Sequence, residues 1–250
     1  MKNQCISVFL FVIFWELSFY FFPDALTLFP APTRLVRYLI NQEFSLGLGP
    51  DQQGITSAVL ASTLRVVFGL LFSLLAALLT GICICSVNAL SNALLPIVRL
   101  LAPIAPIAWL PLALSIFGAG NAAAIFIVFI GTYFILVIAT VAAIEQTDMK
   151  LMEVADSLSA SSLHSWRYVI LPSVLPHLFL MLRLNFIGAW MAVLAAEMVG
   201  LRDGLGTIIL IGRESYNPNL ILIGMILIGF SGYCIDQILL IVQRNYLWWK

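Results

Sequence analysis

Charge is what this 250-residue chain lacks: Asp, Glu, Lys and Arg together make up 10% of it, against about a quarter of a soluble domain. A chain so poor in charge cannot cover itself with a solvated surface, so the bilayer is its solvent. The 62% hydrophobic content and a mean hydropathy of +1.06 agree. Formal net charge is zero, which provides no basic field for nucleic acid and no acidic tail. Lysine is scarce. It occurs only at Lys2, Lys150 and Lys250, never after glycine, so no G-x-x-x-x-G-K-[ST] phosphate loop can form. Histidine occurs only at His164 and His177, and H-E-x-x-H is absent. Neither a nucleophile with its base nor a metal cluster is legible, and an enzyme is not expected. Cys5, Cys83, Cys85 and Cys234 lie in apolar runs, where they read as small buried hydrophobes and not as a disulfide framework.

Long hydrophobic runs are abundant. A transmembrane helix needs roughly 20 mostly apolar residues, and six windows qualify, at about 5–22, 57–86, 92–117, 122–145, 170–199 and 218–243. Continuous runs exclude the alternating pattern of a barrel. The fold class is therefore all-α, a polytopic membrane protein of about six transmembrane helices forming a single transmembrane domain over 1–250. The first window is interrupted by Glu16 and followed by Pro23-Asp24 in place of a small-residue cleavage site, so it reads as a retained span. With the N-terminus inside, Lys2, Lys150, Arg167, Arg244 and Lys250 are cytoplasmic, and Arg34, Arg37, Arg202 and Arg213 are external. Tyr246, Trp248 and Trp249 suit an interfacial anchor.

Between the first two spans, "FPAPTRLVRYLINQEF" predicts a short amphipathic helix with Thr33 as N-cap and a stripe of Leu35, Leu39 and Ile40. "SLGLGPDQQG" then reads as a loop. Small residues let helices approach closely in lipid. Gly69, Ser73, Ala77 and Gly81 form one four-residue ridge, and Gly188, Ala192, Ala196 and Gly200 another. Each implies close contacts, within a subunit or across a dimer. Pro103, Pro106 and Pro111 break the third span, either as a kink for packing or to line a path.

Ionisable residues inside spans are functional hypotheses because burying them is costly. Arg65, Arg99, Arg183 and Glu197 lie inside, while Glu16 and Asp236 sit near interfaces where they could reach water. Arg65, Arg183 and Glu197 are the candidates for a translocation path. Three arginines against one nearby carboxylate point to an anionic or polar solute.

One long polar stretch remains, "EVADSLSASSLHSWRYVILP" at 153–172. It resembles the cytoplasmic EAA loop of bacterial ABC importer permeases: Glu153-Val154-Ala155, then Ser159-Ala160, Trp166 and Leu171-Pro172 stand in the family's register. Val154 departs from Ala and Ser159 from Gly. "FWEL", "FPAPTRLV", "STLRVVFG", "RLLAPIAPIAWLPLALSIFGAG" and "AEMVGLRDGLGTIIL" follow in order and resemble the nitrate, sulfonate and taurine permease group. The resemblance implies a type I importer permease of the bacterial inner membrane, both termini cytoplasmic. It also implies a second permease copy, two cytoplasmic ABC ATPase subunits carrying ATP and magnesium, and an external solute-binding protein. This chain itself would hold no cofactor. The loop at 146–168 would couple to the ATPase, with Glu153 in polar contact, Ala155, Leu158 and Ala160 packing on its cleft, Ser159 turning the hairpin, Pro172 starting span five and Asp156 a further coupling residue. A secondary transporter or channel using the buried charges is the alternative; a scaffold without transport is a third class.

Overall fold

Runs of apolar residues without β-branched alternation satisfy their backbone internally only as helices when lipid surrounds them. The computed structural model describes residues 2–21, 30–41, 54–147, 149–201 and 203–246, and contains no strand among them. The helices are α1 (Lys2–Phe21), α2 (Pro32–Asn41), α3 (Ile55–Ser86), α4 (Asn88–Leu101), α5 (Leu110–Phe117), α6 (Asn121–Glu145), α7 (Met149–Ser157), α8 (Ser162–Ser165), α9 (Leu171–Gly200), α10 (Leu205–Glu214) and α11 (Pro218–Tyr246). A 3-10 turn, Pro106–Trp109, precedes α5, and a π turn, Trp166–Ile170, precedes α9. Among the described residues four helices are long and apolar enough to cross a membrane, or five if the α4–α5 pair, bent by 98°, is one span. The first of the six expected windows is α1, whose 20 residues extend about 30 Å around a shorter apolar run, Phe9–Phe19. The loop at 45–53 and the anchor residues Trp248 and Trp249 lie outside the described residues.

The chain divides into two compact units, described in turn: residues 1–62 with 197–231, and 63–196 with 232–250. In the first, α2 begins at Pro32, where a missing N–H costs nothing. Thr33 is not its cap, because it already lies inside the helix. The capping group is Glu16 of α1, which accepts the Thr33 N–H at 3.3 Å and the Thr33 hydroxyl at 2.8 Å. Glu16 is therefore engaged with α2 and does not simply reach water. Leu35 is buried and Ile40 exposed, so the apolar stripe is narrower than its pattern. The stretch between the fifth and sixth windows, which carries Arg202 and Arg213, contains helix α10. It packs antiparallel on α11: a Cβ at Gly212 would stand 2.8 Å from Ile221, and one at Gly224 2.9 Å from Ile209. Asn217 starts α11, its Oδ1 accepting the N–H groups of Asn219 and Leu220.

The second unit is built on the first ridge. A Cβ at Gly69 would meet Val128 Cγ1 at 2.5 Å, and one at Gly81 would meet Thr140 Cγ2 at 2.5 Å. Between them Ser73 Oγ lies 2.8 Å from Thr132 Oγ1. Partner numbers rise together along both helices, so α3 and α6 run parallel. Two parallel spans require the chain between them to cross back, so α4–α5 is one broken crossing and not a re-entrant loop. Its break leans on α6, where Pro106 fills the space beside Gly131 and the Trp109 and Phe134 rings lie 6.5 Å apart. This supports packing as a cause of the break. A Gly69→Leu variant should lose roughly 1–3 kcal/mol or more by overpacking, read as lower thermal stability of the detergent-solubilised protein. Unchanged stability would mean that α3 and α6 do not meet there. The second ridge is used only in part: Ala192 and Ala196 are buried, but the space beside Gly188 is open.

Candidate functional site: a polar hairpin and the charges inside the spans

After α6 the chain leaves the apolar run and forms a small hairpin, α7 turning into α8. Ser159 adopts a left-handed conformation, φ +53. The Ala160 N–H bonds back to the Ala155 carbonyl at 3.0 Å, and Leu158 N–H bonds to Val154. This is a Schellman closure, in which the residue after a left-handed position satisfies a carbonyl of the last helical turn and small side chains meet beneath it. It gives the alanines at 155 and 160 a local reason. Ala155 is 5% exposed, so it contributes little to the outward surface of the hairpin. The outward side of α7 carries Leu151, Val154 and Leu158, at one-face spacing and 46%, 57% and 76% exposed. Glu153 is exposed beside them. Asp156 belongs to α7, but its side chain lies outside the described set.

Pro172 is the second residue of α9, and the apolar span extends back from it through the π turn. The helix already runs from α8 through the π turn, and the whole span is Trp166–Val199. A proline at 172 would clash with the carbonyl four residues earlier in a regular α-helix. The widened turn over Trp166–Ile170, closed by the Leu171 N–H on the Trp166 carbonyl, makes room for it.

The three path candidates separate. Glu197 is fully buried, and its carboxylate sits over the N-terminus of α10. It accepts the Ser62 hydroxyl at 2.7 Å and the Gly206 N–H at 2.9 Å, while Ser62 Oγ also accepts the Leu205 N–H at 3.0 Å. A buried anion is tolerated at such a place because free N–H groups and the helix dipole both favour negative charge. Gly204, φ +112 and ψ 174, leaves room for the carboxylate; a Cβ there would stand 2.5 and 2.6 Å from its two oxygens. Arg65 is also buried, at 2% exposure, and its Nε donates to Asn121 Oδ1 at the start of α6.

Arg183 is different. Its Nε and Nη2 bond Asp236 Oδ1 and Oδ2 at 2.7 and 2.9 Å, a two-pronged pair between α9 and α11. Asp236 therefore does not simply reach water, and the expected surplus of intramembrane arginine shrinks by this one neutralised charge. The pair stays reachable, with side chains 31% and 24% exposed. Such a pair at mid-span must face protein or a wet cavity, since lipid is too costly. Ser62, Asn121, Gly204 and Asp236 were missed as site residues. The glycines of "RDGLG" before an apolar run were the available signal for a helix start; no sequence cue pairs Asp236 with Arg183.

With this geometry in place, comparison with known proteins identifies the class. Residues 69–246 match the family described as binding-protein-dependent transport system inner membrane component. A putative ABC transporter permease of Methanocaldococcus jannaschii is 30% identical over 96% of this chain and 88% of its own length. The nitrate import permease NrtB of Leptolyngbya laminosa is 31% identical over 80% of this chain and 71% of its own. The bicarbonate permease CmpB of Synechococcus elongatus is 31% identical over 94% and 85%. An inward-facing crystal structure of the methionine ABC transporter MetNI shares the fold, with a TM-score of 0.60 at 20% identity, over 75% of this chain and 94% of that one. The chain belongs to the binding-protein-dependent permease family. It is a multi-pass inner-membrane permease subunit of an ABC importer, non-catalytic itself, in a class that works with ATPase and solute-binding partners.

Proposed function

We propose that this subunit conducts a small oxyanion or similarly small polar solute, delivered by an external binding protein. It pairs with a second copy of itself and presents residues 146–168 to a cytoplasmic ATPase, with both termini on the cytoplasmic side. The cargo reading rests on relatives named for nitrate, bicarbonate and taurine, which share a compact, oxygen-rich anionic group. The docking reading rests on one observation above all: the exposed Leu151, Val154 and Leu158 stripe on a hairpin outside the apolar runs. Glu153 would add polar contact, and Ser159 and Ala160 would fix the turn that holds the stripe outward. ATP and magnesium would belong to the ATPase partner.

Of the three charged candidates, Arg183 keeps the solute-path role. A guanidinium held by Asp236 is poised but neutralised, and an incoming oxyanion can compete for the same two donors. Arg65 and Glu197 take positional duties, because both are buried and hydrogen-bonded. The test is the complete importer in proteoliposomes, with binding-protein-stimulated ATP hydrolysis measured for nitrate, bicarbonate and taurine. Arg183→Gln should cut uptake about tenfold or more while ATPase co-purification stays normal. Full uptake by the double variant Arg183→Gln with Asp236→Asn would make the pair structural only. Stimulation by none of the three anions, with another class active, would remove the oxyanion reading.

A further inference from the structure

A groove of about 350 Å³ opens where α3 ends and the span of α9 begins, lined by Ile82, Ser86, Trp166, Arg167 and Leu171. Its origin is the π turn. In an α-helix Trp166 and Leu171 would point about 140° apart. The bond from the Leu171 N–H to the Trp166 carbonyl stacks them on one side instead, with Arg167 at their edge. π turns of this kind are frequent at functional sites. The walls are apolar: Ile82, the Trp166 ring and Leu171. The mouth is polar. Arg167 is exposed, touches the Tyr168 ring face at 5.8 Å, and forms no ion pair among the described residues. The Ser86 hydroxyl beside it is turned back to the Ile82 carbonyl at 2.8 Å.

The parallel run of α3 and α6 places Ser86 and the hairpin after α6 at the same end of this unit. The groove therefore sits at the boundary between apolar span and polar hairpin, the level of lipid headgroups. We propose that it binds one anionic phospholipid, its phosphate on Arg167 and an acyl chain along Ile82, Trp166 and Leu171. The inference uses only the permease's place in a membrane and not its cargo. Three features select this occupant. A guanidinium at the end of a span, with no ion pair among the described residues, grips phosphate by two N–H groups. Basic pockets between transmembrane helices are a recurrent headgroup site. An apolar wall continuing down α3 from Ser86 suits an acyl chain and offers nothing to a free phosphate.

The experiment is native mass spectrometry of the full chain in detergent, titrated with phosphatidylglycerol or phosphatidylcholine. The wild type should retain phosphatidylglycerol preferentially. Arg167→Gln should reduce that preference about fivefold, the contribution of one basic residue at an anionic surface. Ile82→Trp, which fills the groove and leaves the charge, should reduce retention of both lipids. Arg99→Gln, removing an exposed arginine elsewhere, should change neither. Inorganic phosphate at millimolar concentration should fail to displace the lipid, and added ATPase subunit should leave it bound. Equal preference in Arg167→Gln and wild type overturns the site. Displacement by phosphate makes it an anion site without lipid, and displacement by the ATPase makes it a protein-docking surface; either result also overturns it. Because none of these readouts involves transport, their failure leaves the importer reading untouched.

Discussion

Gly204→Ala is expected to destabilise the folded permease by about 2–6 kcal/mol, although it adds a single methyl group. Two costs combine. The backbone at φ +112 and ψ 174 lies in a region that only glycine occupies readily, worth about 1–3 kcal/mol. The new Cβ would also press on both oxygens of the fully buried Glu197 carboxylate, adding about 1–3 kcal/mol of overpacking. Pushing the carboxylate aside would release the Gly206 N–H and the Ser62 hydroxyl, so the start of α10 would lose its anchor. Thermal aggregation of the solubilised protein measures the loss. Glu197→Ala should give a comparable loss and Glu197→Gln a smaller one, because the amide oxygen retains one acceptor. A Gly204→Ala protein as stable as wild type would show that the carboxylate does not close over this glycine.

The second large effect concerns coupling and should leave stability alone. Leu158 is 76% exposed and Val154 57% exposed, so neither holds the hairpin together. If they pack in an ATPase cleft, each contributes about 1.5–3 kcal/mol of apolar burial. Leu158→Asp should then weaken ATPase association roughly 10- to 150-fold, with membrane abundance of the permease unchanged. Ala155→Trp should fail in the opposite manner. Ala155 is buried under the Schellman closure, so the bulky ring should reduce folded protein before it touches any partner. Co-purification and abundance, measured side by side, separate the two. Normal ATPase association by Leu158→Asp would exclude the stripe as the docking surface.

What could be read in advance follows the range of each interaction. The spans were legible because one property, continuous apolarity, is local and redundant over some 20 residues. The hairpin at 146–168 was legible for a similar reason: polarity in a greasy context marks it, and the turn at Ser159 is a short-range event. The inward direction of Ala155 was not, because exposure depends on what α7 packs against, here the π turn. Helix α10 was hidden behind its glycines. They signal a turn in isolation, yet Gly204 and Gly206 form the N-terminus that Glu197 caps. Asp236 was misplaced for a reason of distance. Its partner Arg183 lies 53 residues away, and helix ends alone cannot reveal which charges share a level in the bilayer.

The parallel contact of α3 with α6 also sets a timetable. Ser73 and Thr132 are 59 residues apart in sequence, and ribosomes add about 5–20 residues per second. The Gly69–Gly81 ridge must therefore wait roughly 3–12 s in the membrane before its partner helix has been made. During that interval its small residues face lipid or the insertion machinery, and α4–α5 passes by first. Assembly of this unit is thus ordered by synthesis, because the close approaches of Gly69 and Gly81 can form only once the late-arriving helix is in place.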